Sequence, residues 1–154
     1  MRFQVCLPTP LAPVSAFIDP EHQALIEPIY EARLLAELEE ILAAVPHEQL
    51  ALQWDTRVEF AMLEGVSAAW FDEPRAGVLE RLLRLSRHVP ASVELGFHFC
   101  YGDDHHGHFT KHDDTRKLVD IANALSGLAP PVNCVRGPGP DDADAGSCAP
   151  MAGP

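Results

Sequence analysis

The stretch VELGFHFCYGDDHHGHF, residues 93–109, gathers four histidines, one cysteine and three acidic residues behind a short apolar run. Imidazole nitrogen and thiolate sulfur are donors that a borderline-soft ion such as zinc accepts, in shells of three or four protein ligands. On an extended segment His98 and Cys100 stand two apart and face one way, while Phe97 and Phe99 face the other. Glu94 lies on the same face as His98, further down. Two donors fall short of a shell, so a buried thiol beside a hydrogen-bonded histidine is the competing reading. The DDHHGH run that follows reads as a loop at a strand end, the place where binding groups concentrate. Asp103, His106 and His108 are its candidates for extending the site or contacting an anionic substrate, against the plain reading of a solvated loop.

A second stretch, QLALQWD at 49–55, alternates Leu50, Leu52 and Trp54 with Ala51, Gln53 and Asp55. A strand with that period sends Gln53 and Asp55 to one face. Asp55 ends the run, where a carboxylate either holds a substrate ammonium group or caps the next element. Glu59 and Glu64 read as solvated or cap-forming, and Cys6 and Cys148 show no partner.

The elements that must position these groups repeat as strand then helix. An apolar segment at 3–7 precedes a Pro-rich loop, PTPLAP. Asp19 then stands as an N-cap with Pro20 at the first helical position. The helix that follows carries Leu25, Ile26, Ile29, Leu34, Leu35, Leu38, Ile41 and Leu42 as its stripe and ends at Pro46. A second helix is expected over 77–88, with Leu79, Leu82, Leu83 and Leu85 buried. A third is expected over 114–126, with Leu118, Val119, Ile121, Ala122 and Leu125, followed by Gly127 beyond its end. PVNCV starts a fourth strand. Alternating β and α segments predict a parallel sheet with helical crossovers. Either a doubly wound sheet or part of a (β/α)8 barrel satisfies that pattern. The strands lack a Gly-rich phosphate fingerprint, and polar groups instead collect at their C-terminal ends, where barrel enzymes build their sites.

The 154 residues are 47% apolar and 22% charged, with a net charge of −12. That composition is globular, and its charge repels phosphate backbones and anionic lipid, which argues against nucleic-acid and membrane partners. The four widely spread cysteines fit reduced thiols in a cytoplasmic protein. Prolines at 8, 10 and 13 interrupt any signal-peptide core, and no run reaches the ~18 apolar residues of a membrane span. Residues 1–135 therefore read as one domain. Residues 136–154, rich in Gly, Pro, Ala and Asp, read as a disordered tail of the kind a shifted frame in GC-rich DNA would encode.

HFCY resembles the H-x-C-Y segment of cobalamin-independent methionine synthases, whose catalytic domain is a (β/α)8 barrel shared with uroporphyrinogen decarboxylase. LALQWD resembles the strand that reads I-Q-x-D-E-P in those enzymes, and LPTPLAP is similar, less specifically, to the loop after an earlier strand. The resemblance spans about residues 3–135 and is strongest to short single-barrel relatives in which C-Y-G-D runs into a His-rich loop. It implies an α/β fold of three to four β/α units from a UROD/MetE-like barrel. It also implies zinc held by His98 and Cys100, with Cys134 as a further ligand. Asp55, beside Gln53, would contact the amino group of a homocysteine-like thiol, and Asp103, His106 and His108 would line the mouth. In the family, zinc lowers the pKa of the thiol, and the thiolate attacks the methyl group of a folate. Here Thr56-Arg57 replaces the family's E-P, and the next strand offers Cys134 instead of Glu. A full barrel needs ~250 residues. The expectation is thus a partial methyltransferase barrel whose open edges favour self-association. The alternatives are a non-catalytic half-barrel completed by a partner chain and a relative with decarboxylase or other thiol chemistry.

Overall fold

A computed structural model of the chain describes residues 2–101, 116–127, 132–136 and 149–150. The strands are β1 (Phe3–Pro8), β2 (Leu50–Asp55), β3 (Glu94–His98), β4 (Val132–Arg136) and β5 (Ala149–Pro150). The helices are α1 (Leu11–Phe17), α2 (Pro20–Ala44), α3 (Arg57–Leu63), α4 (Pro74–Arg87) and α5 (Arg116–Ser126). β1 to β4 pair in parallel and in sequence order, and β5 adds to β4 antiparallel. Val5, Leu52, Leu95 and Val132 share one register row. Parallel neighbours cannot be joined by a hairpin, so α2, α4 and α5 carry the chain back across the sheet. Because the order is strictly sequential, right-handed crossovers put these helices on the same face.

Burial follows that geometry. Leu50, Leu52, Trp54, Leu95 and Phe97 are buried in one cluster with Leu38 of α2, Leu82 and Leu85 of α4, and Leu118, Ile121 and Leu125 of α5. Their strand neighbours Ala51, Gln53, Asp55, Glu94 and His98 stay partly exposed on the opposite face. The sheet is open. No barrel closure is formed among the described residues.

The expected α/β alternation is present, with two short helices that the sequence reading does not contain. PTPLAP does not stay a loop, because LAPVSAF closes into α1 with Leu11 and Val14 buried. Pro13 fits there because the first turn of a helix has no intrahelical acceptor for its N–H. α3 follows β2 directly. Asp19 holds the N-cap position of α2, although its side chain makes no capping hydrogen bond.

The stripe predicted for α2 is wrong in its first half. Leu25 and Ile29 are exposed, while Gln23, Glu27 and Glu31 are buried. The physical reason lies on α4. Arg81 forms an ion pair with Glu27, whose other oxygen accepts from Trp70 Nε1 at 2.7 Å, and Arg84 holds Glu31 through two hydrogen bonds of 2.6 and 2.9 Å. Burial alone would raise the Glu27 pKa. Hydrogen bonds from Arg81 and Trp70, with the charges of Arg81 and Arg84, hold it below its ordinary value. Val119, expected inside, is exposed on α5.

The expected tail from 136 onward lies outside the described residues except for Arg136, which ends β4, and Ala149–Pro150, which pairs with Val135 and Cys134. Among the described residues no helix is long and apolar enough to cross a membrane.

Candidate functional site

The open face of the sheet carries a polar ladder. Strand period puts Gln4 and Cys6 of β1, Gln53 and Asp55 of β2, and His98 of β3 on that face, and the registers Cys6–Gln53 and Asp55–His98 align them. Gln4 Nε2 donates to Gln53 Oε1 at 3.0 Å, and Gln53 Nε2 donates to Asp55 Oδ1 at 3.0 Å. The same oxygen lies 3.1 Å from His98 Nδ1. Both glutamine amides also point a donor at Cys6 Sγ, at 3.1 and 3.5 Å. The ladder therefore runs across three strands and converges on one carboxylate oxygen.

That convergence favours the ionised Asp55 carboxylate and selects the His98 tautomer. The hydrogen bond from His98, supported by that from Gln53 and by the imidazole charge, holds the Asp55 carboxyl below its ordinary value despite partial burial. An ionised carboxylate only accepts, so Nδ1 of His98 carries a hydrogen, and a neutral ring in that tautomer has its lone pair on Nε2. Among the described residues Nε2 of His98 and Oδ2 of Asp55 have no hydrogen-bond partner. Both residues stand at the C-terminal ends of parallel strands, Asp55 closing β2 and His98 closing β3. Thr56 fixes the crossing below them, its N and Oγ1 both donating to His98 O, at 3.1 and 2.8 Å.

The structure brings Gln53, Asp55 and His98 together on one face of the sheet. Cys100 lies two residues beyond the end of β3 and is partly buried, between the buried rings of Phe99 and Tyr101. Cys134 occupies the register position opposite Gly96. Asp103, His106 and His108 fall outside the described residues. Among the described residues no three His, Cys, Asp or Glu side chains gather closely enough to hold a metal ion. His98 with Cys100 supplies fewer donors than a zinc shell requires.

Four residues escaped the sequence reading. Gln4 and Cys6 were legible in principle, since they alternate with Phe3, Val5 and Leu7. Glu59, which reads as solvated or cap-forming, is 1% exposed, and burial pushes its carboxyl up from 4.5 to about 7. Glu64, also expected to be solvated, pairs with Lys117 at 2.6 Å and accepts from Tyr101 Oη at 3.4 Å. Among the described residues the helix layer holds a groove of about 580 Å3 beside Glu27, Glu31, Arg81 and Arg84, and another of about 430 Å3 beside Glu64, Arg75, Lys117 and Asp120. Neither is lined by a residue of the ladder.

Comparison with known protein families, characterised proteins and solved structures finds no match to this chain. The fold and the ladder therefore stand as the basis for a functional reading.

Proposed function

We propose that the Asp55–His98 pair binds and activates a small amino-thiol, and that the chain is a partial (β/α)8 barrel with methyltransferase chemistry of the cobalamin-independent methionine synthase type. The observation that supports this reading most is the 3.1 Å contact between His98 Nδ1 and Asp55 Oδ1, which pairs a carboxylate with an imidazole on two partly exposed side chains. Asp55 Oδ2 accepts from the ligand's ammonium group. His98 Nε2 takes the thiol proton, a transfer that a positioned histidine speeds by about 10^2–10^4-fold. The resulting thiolate forms a bond to the methyl carbon as the carbon–nitrogen bond of a methylated folate breaks, and that nitrogen accepts a proton.

The resemblance instead assigns the same His98 lone pair, with Cys100, to zinc, an alternative to the base role that is tested separately. Zinc bound stoichiometrically to the purified protein and lost in His98→Ala supports the ligand assignment, whereas a metal-free wild type removes it. For the reaction, homocysteine and a methylated folate are the probes. Methyl transfer that falls at least about 100-fold in Asp55→Asn and His98→Ala supports the proposal. A wild type that neither transfers methyl groups nor binds homocysteine in calorimetry refutes it.

The outer edge of β1 favours a second reading. β1 ends the sheet, with Phe3 67% exposed and no strand beyond it among the described residues. An unpaired strand edge is a template for another chain. In this reading the unit is completed by a partner and its ladder lies inside the assembly. Sedimentation of the purified chain separates the two, since a monomer at micromolar concentration discounts the second.

A further inference from the structure

Gln53 stands beside Asp55 without a donor to spare for a ligand. Its Nε2 has two acceptors inside the sheet, Asp55 Oδ1 at 3.0 Å and Cys6 Sγ at 3.5 Å. Its Oε1 accepts from Gln4 Nε2 at 3.0 Å, and that nitrogen also faces Cys6 Sγ at 3.1 Å. The orientation of both amides follows from the carboxylate. Asp55 only accepts when ionised, so Gln53 turns its nitrogen toward Asp55 and its oxygen toward Gln4. Gln4 must then offer a nitrogen in return. The chain of amides has one direction, from the exposed edge strand toward Asp55.

Asp55 needs such a hold. It ends β2, its side chain is 43% exposed, and the terminal torsion of an aspartate is broad. His98 alone would tether the carboxylate at one point and let it turn. The second donor comes from two residues earlier on the same strand and meets the same oxygen. We infer that Gln53 is a positioning residue, not a ligand contact. With Gln4 behind it, Gln53 locks the Asp55 carboxylate against His98 and so fixes the tautomer of that ring. The role bears on catalysis only through the ligand reading proposed above, on which it rests, but the tautomer can be read without any ligand.

Gln53→Met keeps the length of the side chain and removes its donors. NMR of the His98 ring nitrogens in the full chain reads the ratio of the Nδ1–H to the Nε2–H form of the neutral ring. Asp55→Ala supplies the ratio of a ring with no carboxylate beside it. The wild-type ratio exceeds that value, and Gln53→Met lowers it by roughly 5-fold, the weight of one hydrogen bond. Gln4→Met acts through Gln53 and lowers it by roughly 2-fold. A wild-type preference that survives Gln53→Met intact overturns the positioning role and leaves the ligand reading standing. A wild-type ratio equal to that of Asp55→Ala overturns both, because the pair itself is then not formed. A second readout leaves Gln53 unchanged. Its side-chain amide exchanges with water roughly 5-fold more slowly in the wild type than in Asp55→Ala, and equal rates overturn the inference.

Discussion

The two faces of the sheet are made by the same strands and obey different rules. Leu50, Leu52 and Trp54 of β2 are at most 1% exposed under the helices. Ala51, Gln53 and Asp55, interleaved with them, are partly exposed, and Gln53 and Asp55 are tied to one another by hydrogen bonds. On the covered face, stability comes from apolar area removed from water, at roughly 25 cal/mol per Å2. On the open face each hydrogen bond replaces one to water and contributes about 1 kcal/mol at most. The first face can hold the fold together. The second is free to carry chemistry, because its residues are under little structural demand.

The sharpest break of that comparison is truncation in each face. Phe97→Ala, which empties a fully buried ring position, should cost about 3–5 kcal/mol in urea unfolding, whereas Gln53→Ala should cost under about 1 kcal/mol. Similar losses at both positions would mean that the ladder supports the fold. Next comes the polar contact within the covered layer. Glu27→Ala strands Arg81 in a half-dry site and should cost about 3 kcal/mol, more than any single ladder residue.

Glu59 follows at similar size but with a pH signature. Its own contribution to unfolding free energy should decline by about 3 kcal/mol as pH rises from 4.5 to about 7, and Glu59→Gln should abolish that decline. The smallest effect belongs to Asp55 and has the opposite sign. Because its folded pKa lies below its ordinary 3.8, its contribution is present above 3.8 and is lost as acid takes the pH through the folded value. Comparing the acid limbs of wild type and Asp55→Asn checks this, and identical limbs would mean that the His98 contact is not formed in solution.

How much of this could be read from residues alone depends on whether a signal was local. LALQWD and ELGFH announce strands by alternation and side, so the face shared by Gln53, Asp55 and His98 was legible. The first half of α2 was not. Glu27 and Glu31 are buried only because Arg81 and Arg84 arrive from a helix some fifty residues later, and apolar periodicity cannot register a paired charge. The same holds for Glu59, whose environment is made by Thr9 from a distant turn. α1 and α3 are each seven residues long, too short for a periodic pattern, and prolines hid the first. Nothing local marked them.

The strictly sequential strand order has a consequence for how the chain is made. Each strand pairs with a strand already synthesised, and no later segment must thread between earlier ones. β2 docks on β1 once α2 has formed, and β3 docks on β2 once α4 has formed. Every intermediate gains one fresh edge, while the outer edge of β1 stays open throughout. A ribosome releasing residues at about 5–20 per second gives each unit seconds to settle before the next arrives. Assembly thus proceeds by growth from one edge, and the ladder, which needs β1, β2 and β3 together, is complete only after His98 has emerged.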